Sequence, residues 1–441
     1  MKEVEKLLKL GENIKIIKIK EINGEKIIHI ESRKKKVRCP ECKNFTKSIH
    51  GHLKPMIIKD LKIEEQHSKL VVKKRRFKCY NCNKIFTEDM KINGKGKNIS
   101  EKLKIKILQD LLSHEKSLKS IGLENNVDEN TVRQILKEAM KGYPEHVRLL
   151  PKIISLDEFK ADTKEGKYAC VINDPIHKKA LDVLPSRKKE YLTQYFTYCE
   201  NRHSVEVVIS DMYEPYLLVT QIMFPKAIFV ADPFHYTRHV MESLDKIRIR
   251  LQNSYGPKSK EYKLLKNKKN IGLIRKYSND VDWWVYTKRY KNKHQVEVLK
   301  YDLRNEILDI HPELKAGYDL KELFLDIVKH TTYENSRTEL LNWIDLCRES
   351  KIEEMMEVSN TIENWLEYIC NSFLDKRYSN GYTEGTNNLI KVIKRVGFGY
   401  RNFKFFRMRL LYILNNKDKK ISTIRKNKNS KKQEKHSFQK F

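Results

Sequence analysis

At 441 residues, the chain is longer than a single ordinary hydrophobic core requires, so several domains are expected. Its 90 lysine and arginine residues outnumber 58 aspartate and glutamate residues, and the formal net charge of +32 predicts a polyanionic partner. Nucleic acid is the commonest such partner, with a ribosome-associated or heparin-like binder as the alternative.

The same composition argues against secretion and membrane insertion. The first ten residues lack the continuous apolar segment of a secretory signal. No apolar run approaches the roughly 20 residues that a membrane-spanning helix needs. Eight cysteines in so long a chain argue against a disulfide scaffold. We therefore expect a cytoplasmic protein with no membrane association.

Residues 1–92 are predicted to form a zinc-binding domain that contains hairpins. Apolar and polar residues alternate over 12–31 around Asn23-Gly24, a pattern typical of a hairpin with a primed turn. The segments VRCPEC and FKCYNC then supply two CxxC pairs. Their four thiolates can surround one Zn²⁺ tetrahedrally. These cysteines are Cys39, Cys42, Cys79 and Cys82.

The gap between the two CxxC pairs is long enough to require an inserted hairpin, which we place at residues 53–74. Three histidines in this region, His50, His52 and His67, could replace one cysteine. The alternative interpretation is a set of unrelated buried or redox-active thiols. A zinc site of this kind indicates a metal but not a function, because structural zinc stabilises many folds.

Residues 97–142 are predicted to form a helix-turn-helix DNA-binding domain. Ser100 can cap a first helix, and a short second helix and a turn precede a third helix that begins near Asp128. The start of that third helix is where base edges are read in this motif. The candidate DNA-contacting residues there are Asn130, Thr131, Arg133 and Gln134. A plain helical hairpin that only packs a core is the alternative.

From residue 150 the periodicity changes to that of a mixed α/β domain. Three strands, a helix and then alternating strands and helices are predicted over 150–240, the order of a ribonuclease-H-like core. Asp157 lies in the first strand, and Asp211 ends the fourth, which lies beside the first in this topology. Phosphodiester chemistry with two Mg²⁺ ions requires several carboxylates that converge from different elements.

A third acid, Glu384, lies near the start of the basic segment SNGYTEGTNNLIKVIKRVGFGYRNF. At about 100° per residue, Glu384, Asn388, Lys391 and Arg395 share one helix face. The acid would bind a metal ion and the amide and cations would bind phosphate. Leu389, Ile393 and Val396 lie on the opposite face, which we expect to be buried.

Four segments, SLDEF, VVISDMYEPY, VADPFH and the segment around Glu384, resemble signature segments of bacterial insertion-sequence transposases of the ISL-three type. These are DDE transposases with a ribonuclease-H-like catalytic domain, an N-terminal zinc-binding domain and a helix-turn-helix. The resemblance covers essentially the whole chain. It implies a catalytic and Mg²⁺-binding triad of Asp157, Asp211 and Glu384, with Mn²⁺ as the other possible ion. It also implies binding to terminal inverted repeats and target DNA, by a homodimer or higher oligomer associated with the bacterial nucleoid.

Other residues have competing interpretations. Asp232 ends a strand and precedes Pro233, so it is either a helix N-cap or, with His235, a supporting catalytic site. Glu158 follows Asp157 and is expected to point to the other face of the sheet. The segment KKALDVLP is assigned to a strand and SRKKEYLTQYFTYC to the helix that follows it.

The rest of the chain is divided as follows. Residues 241–372 are predicted to be a helical insertion, 373–416 the second part of the catalytic core, and 417–441 a basic disordered arm that contacts DNA. The insertion contains all four tryptophans: Trp343 and Trp365 have helical core spacing, whereas Trp283 and Trp284 could stack on an unpaired or flipped base. The chain is thus predicted to be a multidomain α+β and α/β protein.

Three functions fit this organisation. The first is an active DDE transposase that cleaves and transfers DNA strands. The second is a catalytically silent, transposase-derived DNA-binding regulator, which would be expected to lack one acid. The third is another nuclease of the same fold, such as a junction resolvase, which would not need so large an N-terminal recognition region.

Overall fold

The computed structural model describes residues 5, 8, 10–92, 98–291, 294–379, 381–397 and 402–416; within these, the side chains of 289–291, 294, 295 and 384 are not described. The described residues fall into two compact units, Met1–Tyr143 with Leu389–Phe441 and Pro144–Asn388. We call them unit 1 and unit 2. The predicted segment 373–416 spans this division. Within the described ranges, no helix combines the length and apolarity needed to cross a bilayer.

Unit 1 begins with nine strands in small sheets. The four-stranded sheet has the order β1-β2-β7-β6, so two hairpins are joined through the parallel pairing of β2 with β7. Asn23 and Gly24 both have positive φ, as a primed turn requires, which confirms the first predicted hairpin, and β6–β7 confirms the second. The strands are β1 (Ile14–Ile22), β2 (Glu25–Ser32), β3 (Val37–Arg38), β4 (Phe45–Thr46), β5 (Ile49–His52), β6 (Met56–Ile63), β7 (Gln66–Val72), β8 (Arg75–Lys78) and β9 (Ile85–Thr87).

Three helices follow at the positions expected from their caps: α1 (Glu101–Leu111), α2 (Leu118–Glu124) and α3 (Glu129–Ala139). The Ser100 hydroxyl accepts a hydrogen bond from the Leu103 N–H at 3.1 Å, and Asp128 caps α3. Gly122 allows a close approach in the turn, because a Cβ there would lie 2.7 Å from the Val127 carbonyl oxygen. The three helices therefore pack tightly around this turn.

Unit 2 is built on a five-stranded sheet of order β12-β11-β10-β13-β14. Strand β10 pairs antiparallel with β11 and parallel with β13. This confirms the prediction that the first strand of the domain, β10, is adjacent to the fourth, β13. Buried aliphatic and aromatic residues of the sheet pack against two helices. The elements are β10 (Ile153–Lys160), β11 (Tyr168–Asp174), β12 (Lys179–Leu184), α4 (Lys189–Thr197), β13 (Val207–Ser210), α5 (Glu214–Met223) and β14 (Ile228–Ala231).

The predicted insertion is mostly helical, but it also contains a hairpin that the sequence analysis missed. Trp343 is fully buried there and Trp365 packs against two cores, so both are packing residues as expected. The elements are α6 (Pro233–Ser254), α7 (Lys260–Lys266), α8 (Lys268–Arg275), β15 (Tyr286–Lys291), β16 (His294–Leu299), α9 (Lys300–Leu308), α10 (Pro312–His330), α11 (Tyr333–Glu349), α12 (Glu353–Asn364) and α13 (Leu366–Cys370).

Two helices complete the described chain, α14 (Gly381–Val396) and α15 (Phe403–Leu414). The division between the units falls within α14, after Asn388. In unit 1, the α15 residue Arg409 is 1% exposed, and its guanidinium donates to the main-chain carbonyls of Ser113 and Lys116. The Tyr412 hydroxyl donates to the Leu108 carbonyl at 3.1 Å. Helix α15 therefore packs against the α1–α2 region.

Candidate metal centres and nucleic-acid interface

The four predicted zinc ligands lie together in unit 1. One sulfur atom from each of Cys39, Cys42, Cys79 and Cys82 lies within 4.8 Å of the others, and all four thiols are free. The Cys39–Cys82 and Cys42–Cys79 sulfur pairs are 3.6 and 3.5 Å apart. Sulfur atoms at tetrahedral corners about 2.3 Å from Zn²⁺ are separated by roughly 3.8 Å, so the cluster fits one zinc ion. No histidine of the described chain belongs to this cluster.

The main chain around the first cysteine of each CxxC pair favours a thiolate. Burial opposes ionisation of Cys39, but the N–H groups of Cys42 and Glu41 direct hydrogen bonds to its sulfur, and its pKa falls to about 7. The pKa of Cys79 is also lowered, first by the Cys82 N–H. Because zinc binds thiolates, each CxxC turn prepares its first sulfur for the metal.

A second candidate metal centre lies where the pairing of β10 with β13 ends. Asp157 is 6% exposed; its Oδ1 accepts from the Glu158 N–H and its Oδ2 from the Asn387 side-chain amide, both at 2.6 Å. Burial, followed by the charge of Asp211, raises the pKa of the Asp157 carboxyl to about 8. Carboxyl oxygens of Asp157, Glu158 and Asp211 lie within 4.8 Å of one another.

Asp211 also belongs to a second group of potential ligands, with Asp232 and His235. Its Oδ1 lies 2.8 Å from the His235 Nε2, which is 3.7 Å from the Asp232 Oδ2. The pKa of His235 is raised. Burial alone would lower this pKa, but the contact with the Asp211 carboxylate and the charges of Asp211 and Asp232 outweigh burial. Asp232 occupies the N-cap position of α6 without a side-chain capping bond, so a capping role does not explain it.

As expected, Glu158 points to the face of the sheet opposite to Asp157, where Cys170 and Tyr216 lie, but its carboxyl group still reaches those of Asp157 and Asp211. The β10–β13 pairing ends at Leu156 and Ser210, so no strand separates residue 158 from Asp211. Burial is the main cause that raises the pKa of Glu158. Its Oε1 pairs with Arg187, whose guanidinium lies 4.3 Å from the ring centroids of both Tyr168 and Tyr213. The sequence analysis gave no role to Arg187, because its spacing carries no recognisable signal.

Helix α14 is attached to the same strands by polar side chains. The Thr383 hydroxyl lies 3.0 Å from the Ser155 hydroxyl and accepts from the Asn173 side-chain amide at 3.0 Å. Asn387, one turn later, reaches Asp157 and also donates to the Glu158 carbonyl at 3.1 Å. Sequence reasoning selected Asn388 and missed Asn387, although the adjacent Asn-Asn pair was visible.

The other predicted residues of α14 have different surroundings. The side chain of Glu384 lies outside the part of the chain that the structure describes, although position 384 is helical and one turn before Asn387 and Asn388. Asn388, Lys391 and Arg395 are exposed. The buried face carries Thr383, Thr386, Asn387, Ile390 and Ile393. Leu389 and Val396 are only partly buried, so the predicted apolar face was rotated from the real one.

The chemistry of the acidic cluster fits a divalent cation. Its ligands are mainly carboxylate oxygens, which Mg²⁺ and Mn²⁺ prefer. Burial and then the charge of Asp211 raise the pKa of Asp157, and the opposing effect of His235 is smaller. Two ligand groups that share Asp211 could hold two neighbouring ions.

Three of the four candidate DNA-reading residues, Asn130, Arg133 and Gln134, line a groove of about 550 Å³ in unit 1. Asn130 and Gln134 are exposed, whereas the Thr131 hydroxyl donates to Asp128 at 2.7 Å as part of the α3 cap. Arg133 pairs with Glu129, and its guanidinium lies 5.2 Å from the Phe405 ring centroid. The groove is therefore formed by the start of α3 together with Asn402 and Phe405 from the start of α15.

The four-cysteine cluster defines the class of zinc-finger-bearing proteins, and the buried carboxylate cluster of unit 2 is a candidate catalytic centre. A family model described as "Transposase", of the ISL3 type, matches residues 154–410. A second model, described as a zinc finger of the transposases of IS204, IS1001, IS1096 and IS1165, matches residues 35–82. The chain belongs to the ISL3-type transposase family and is an insertion-sequence transposase.

Two curated proteins are similar to the chain. The transposase for insertion sequence element IS1001 of Bordetella parapertussis is 22% identical over 392 residues, which cover 87% of this chain and 90% of that protein. A Lactococcus lactis subsp. lactis protein named "ATP-dependent protease" is 29% identical over 178 residues, or 40% of this chain and 50% of that protein. The first match extends over nearly the whole of both chains and agrees with the family assignment.

Proposed function

We propose that this transposase binds the terminal inverted repeats of its element, cuts the DNA at the 3′ ends and joins those ends to target DNA. Asp157, Asp211 and Glu384 are the proposed catalytic acids, in a ribonuclease-H-like core. The observation that supports this proposal best is the meeting of the Asp157 and Asp211 carboxylates just beyond the last pair of residues that joins β10 to β13. The attachment of α14 to the same strand through Asn387 adds support, because position 384 is one turn away.

The acids have the task of holding divalent cations beside the scissile phosphate. When bound, Mg²⁺ or Mn²⁺ ions would activate the attacking oxygen and stabilise charge on the leaving oxygen. Asp211 belongs to both groups of potential ligands, so it would contribute to binding at both positions. Asp232 and His235 would be supporting residues of the second group. Asn387 would fix the orientation of the Asp157 carboxylate through its 2.6 Å hydrogen bond.

Exposed cationic and polar residues would bind the DNA. Lys391 and Arg395 are exposed, and we assign them, with Asn388, to phosphate contacts. Asn130, Arg133 and Gln134 would read base edges, as residues at the start of a recognition helix do. Thr131 contributes mainly through its bond to Asp128, which caps α3. Because an element has two ends, we expect at least two copies of the chain on the DNA.

The decisive experiment compares amide variants of the acids in the full-length protein. The substrate is a duplex that carries the inverted repeat found beside the coding sequence, with Mg²⁺ or Mn²⁺. Asp157→Asn, Asp211→Asn and Glu384→Gln should each reduce cleavage by roughly two orders of magnitude or more, because the acids act as one unit. Binding to the ends should persist, since each change removes charge and little volume.

Asp232→Asn is the matched comparison, because Asp232 is also buried at a strand end. If it abolishes cleavage and Asp211→Asn does not, the assignment of the second acid is wrong. Undiminished cleavage by all three amide variants would refute the catalytic proposal. A wild-type protein that binds the ends but never cleaves them would instead be a transposase-derived regulator.

A further inference from the structure

The helical insertion of unit 2 displays a stack of aromatic rings and one guanidinium. The Trp284 and Tyr301 rings are nearly parallel, 10° apart in orientation, with centroids 5.5 Å from each other. The Arg304 guanidinium carbon lies 4.8 Å from the Tyr301 centroid and 4.5 Å from that of Trp283. The four side chains form a continuous series that ends at Trp284.

The backbone fixes this stack in position. The Tyr301 N–H donates to the Trp283 carbonyl at 3.2 Å, and the Lys300 N–H donates to the Val285 carbonyl at 3.1 Å. The Trp283 indole N–H donates to the Ser278 carbonyl at 2.8 Å. Because the segment before β15 is tied to the start of α9, the rings are held in place before any ligand arrives, which lowers the entropic cost of binding.

Trp284 is unusually exposed for a tryptophan, at 72% of its maximal surface, whereas Trp343 in the same insertion is fully buried. Its neighbours Val285 and Tyr286 are also exposed, at 43% and 63%. A contiguous aromatic and apolar surface of this kind is typical of an interaction site. The stack therefore has a different role from the core tryptophans.

A lysine-lined cleft of about 270 Å³ lies beside the stack. Lys269 and Lys276 line it together with Lys300, the residue that immediately precedes Tyr301. Thr287 of β15 contributes a polar group to the same cleft. Positive charge therefore adjoins the exposed ring, the combination by which proteins bind single-stranded nucleic acids.

We propose that Trp284, Tyr301 and the cleft lysines form a binding site for an unpaired DNA strand. A base would stack on Trp284, and the strand's phosphates would contact Lys269, Lys276 and Lys300. A continuous duplex cannot supply this contact, because its base faces are covered by neighbouring bases. The inference deepens the proposed function by naming the form of DNA bound, but its test requires no cleavage.

The test measures binding of the full-length protein, without added divalent metal, to two fluorescent strands. One is an oligothymidylate of about 12 nucleotides; the other has the same backbone but abasic sugars. The wild-type protein should prefer the thymidylate strand by about 5- to 100-fold, the range that base–aromatic stacking supports. Trp284→Ala should remove most of that preference, and Trp284→Phe should retain part of it.

Tyr333→Ala is the matched control, because Tyr333 is an aromatic residue of the same insertion that is 42% exposed. It should leave the preference unchanged. Lys276→Gln should weaken binding of both strands alike and reduce the salt dependence, since it removes a phosphate contact. A photoreactive 5-iododeoxyuridine strand should crosslink to the peptide that contains Trp284.

Two outcomes would overturn the inference. If Trp284→Ala keeps the full preference for bases, or weakens binding of the abasic strand as much as binding of the thymidylate strand, then stacking does not occur at this ring. Crosslinks found only outside the insertion would have the same meaning. Because these readouts are independent of the catalytic acids, a failure here leaves the proposed cleavage activity standing, and loss of cleavage in the acid variants leaves this site standing.

Discussion

Replacing Asp157 by asparagine should stabilise the metal-free protein while it removes catalysis. The folded state raises the pKa of this carboxyl from 3.8 to about 8, chiefly by burial and then by the charge of Asp211. An unfolded chain releases the proton near pH 4, so between about pH 4 and 8 the folded state binds more protons than the unfolded state. The free energy of unfolding therefore falls as pH rises through this window.

The magnitude follows from the pKa difference. One pKa unit corresponds to about 1.4 kcal/mol, so this group lowers the stability by at most about 4 kcal/mol at pH 7. Asparagine carries no charge, but it can accept only one of the two hydrogen bonds that Asp157 receives from Glu158 and Asn387. That loss costs roughly 1–3 kcal/mol. We expect a net gain of about 1–3 kcal/mol at pH 7–8 and almost none near pH 5.

The assay is thermal unfolding of the full-length protein without added divalent metal, followed at pH 5 and pH 8. At pH 8, Asp157→Asn should raise the melting temperature of the transition of unit 2 by roughly 2–10 °C. Added Mn²⁺ should stabilise the wild-type protein more than the variant. The matched control is Asp182→Asn: Asp182 is buried in the same sheet but accepts from the Val183 N–H and the Tyr195 hydroxyl, so its variant should be destabilised at both pH values.

The reasoning is refuted if Asp157→Asn melts at or below the wild-type temperature at pH 8. It also fails if the difference in melting temperature between Asp157→Asn and the wild-type protein is the same at pH 5 and pH 8. Either result would mean that the carboxyl is not held neutral by its surroundings, and that the cluster carries less uncompensated charge than its geometry indicates.

Other variants test separate parts of the molecule. Gly122→Ala should destabilise unit 1 by about 1–3 kcal/mol in denaturant titrations, because its Cβ would lie 2.7 Å from a carbonyl oxygen. Gly272→Ala, with open space around its Cβ, should be neutral or slightly stabilising, and equal effects of the two would contradict this. Cys42→Ser should abolish zinc binding, which elemental analysis of the purified protein would measure. Retained zinc would exclude Cys42 as a ligand. Glu158→Gln should weaken Mn²⁺ binding at least tenfold in titration calorimetry, since it removes a negative charge within 4.8 Å of the other acids, and unchanged affinity would assign Glu158 only to Arg187.

Local patterns in the sequence were enough to predict much of the structure. The Asn23-Gly24 turn, the Ser100 and Asp128 caps and the paired CxxC motifs each depend on a few neighbouring residues, and the structure has the corresponding hairpin, helices and thiol cluster. The pairing of β10 with β13 followed from the order of strands and helices, which leaves few alternative topologies.

Features that depend on tertiary contacts were less predictable. A one-residue change of helix position rotates the side chain by about 100°, so sequence alone could not choose Asn387 over Asn388. Strand alternation placed Glu158 correctly on the face opposite to Asp157, but it could not show that the Glu158 carboxyl reaches Asp211 beyond the point at which the β10–β13 pairing ends. The β15–β16 hairpin was missed because its residues are basic and aromatic without a clear apolar alternation.

The contact between Arg409 and Lys116 has a consequence for the order in which the protein forms. These residues are 293 positions apart, and both belong to unit 1. A ribosome that adds about 5–20 residues per second needs roughly 15–60 s to pass from one to the other. During that interval α1, α2 and α3 exist without α15, and the groove beside Arg133 lacks Asn402 and Phe405. A nascent or prematurely terminated chain would therefore present an incomplete version of the proposed DNA-reading surface, and full recognition of DNA would require molecules translated past α15.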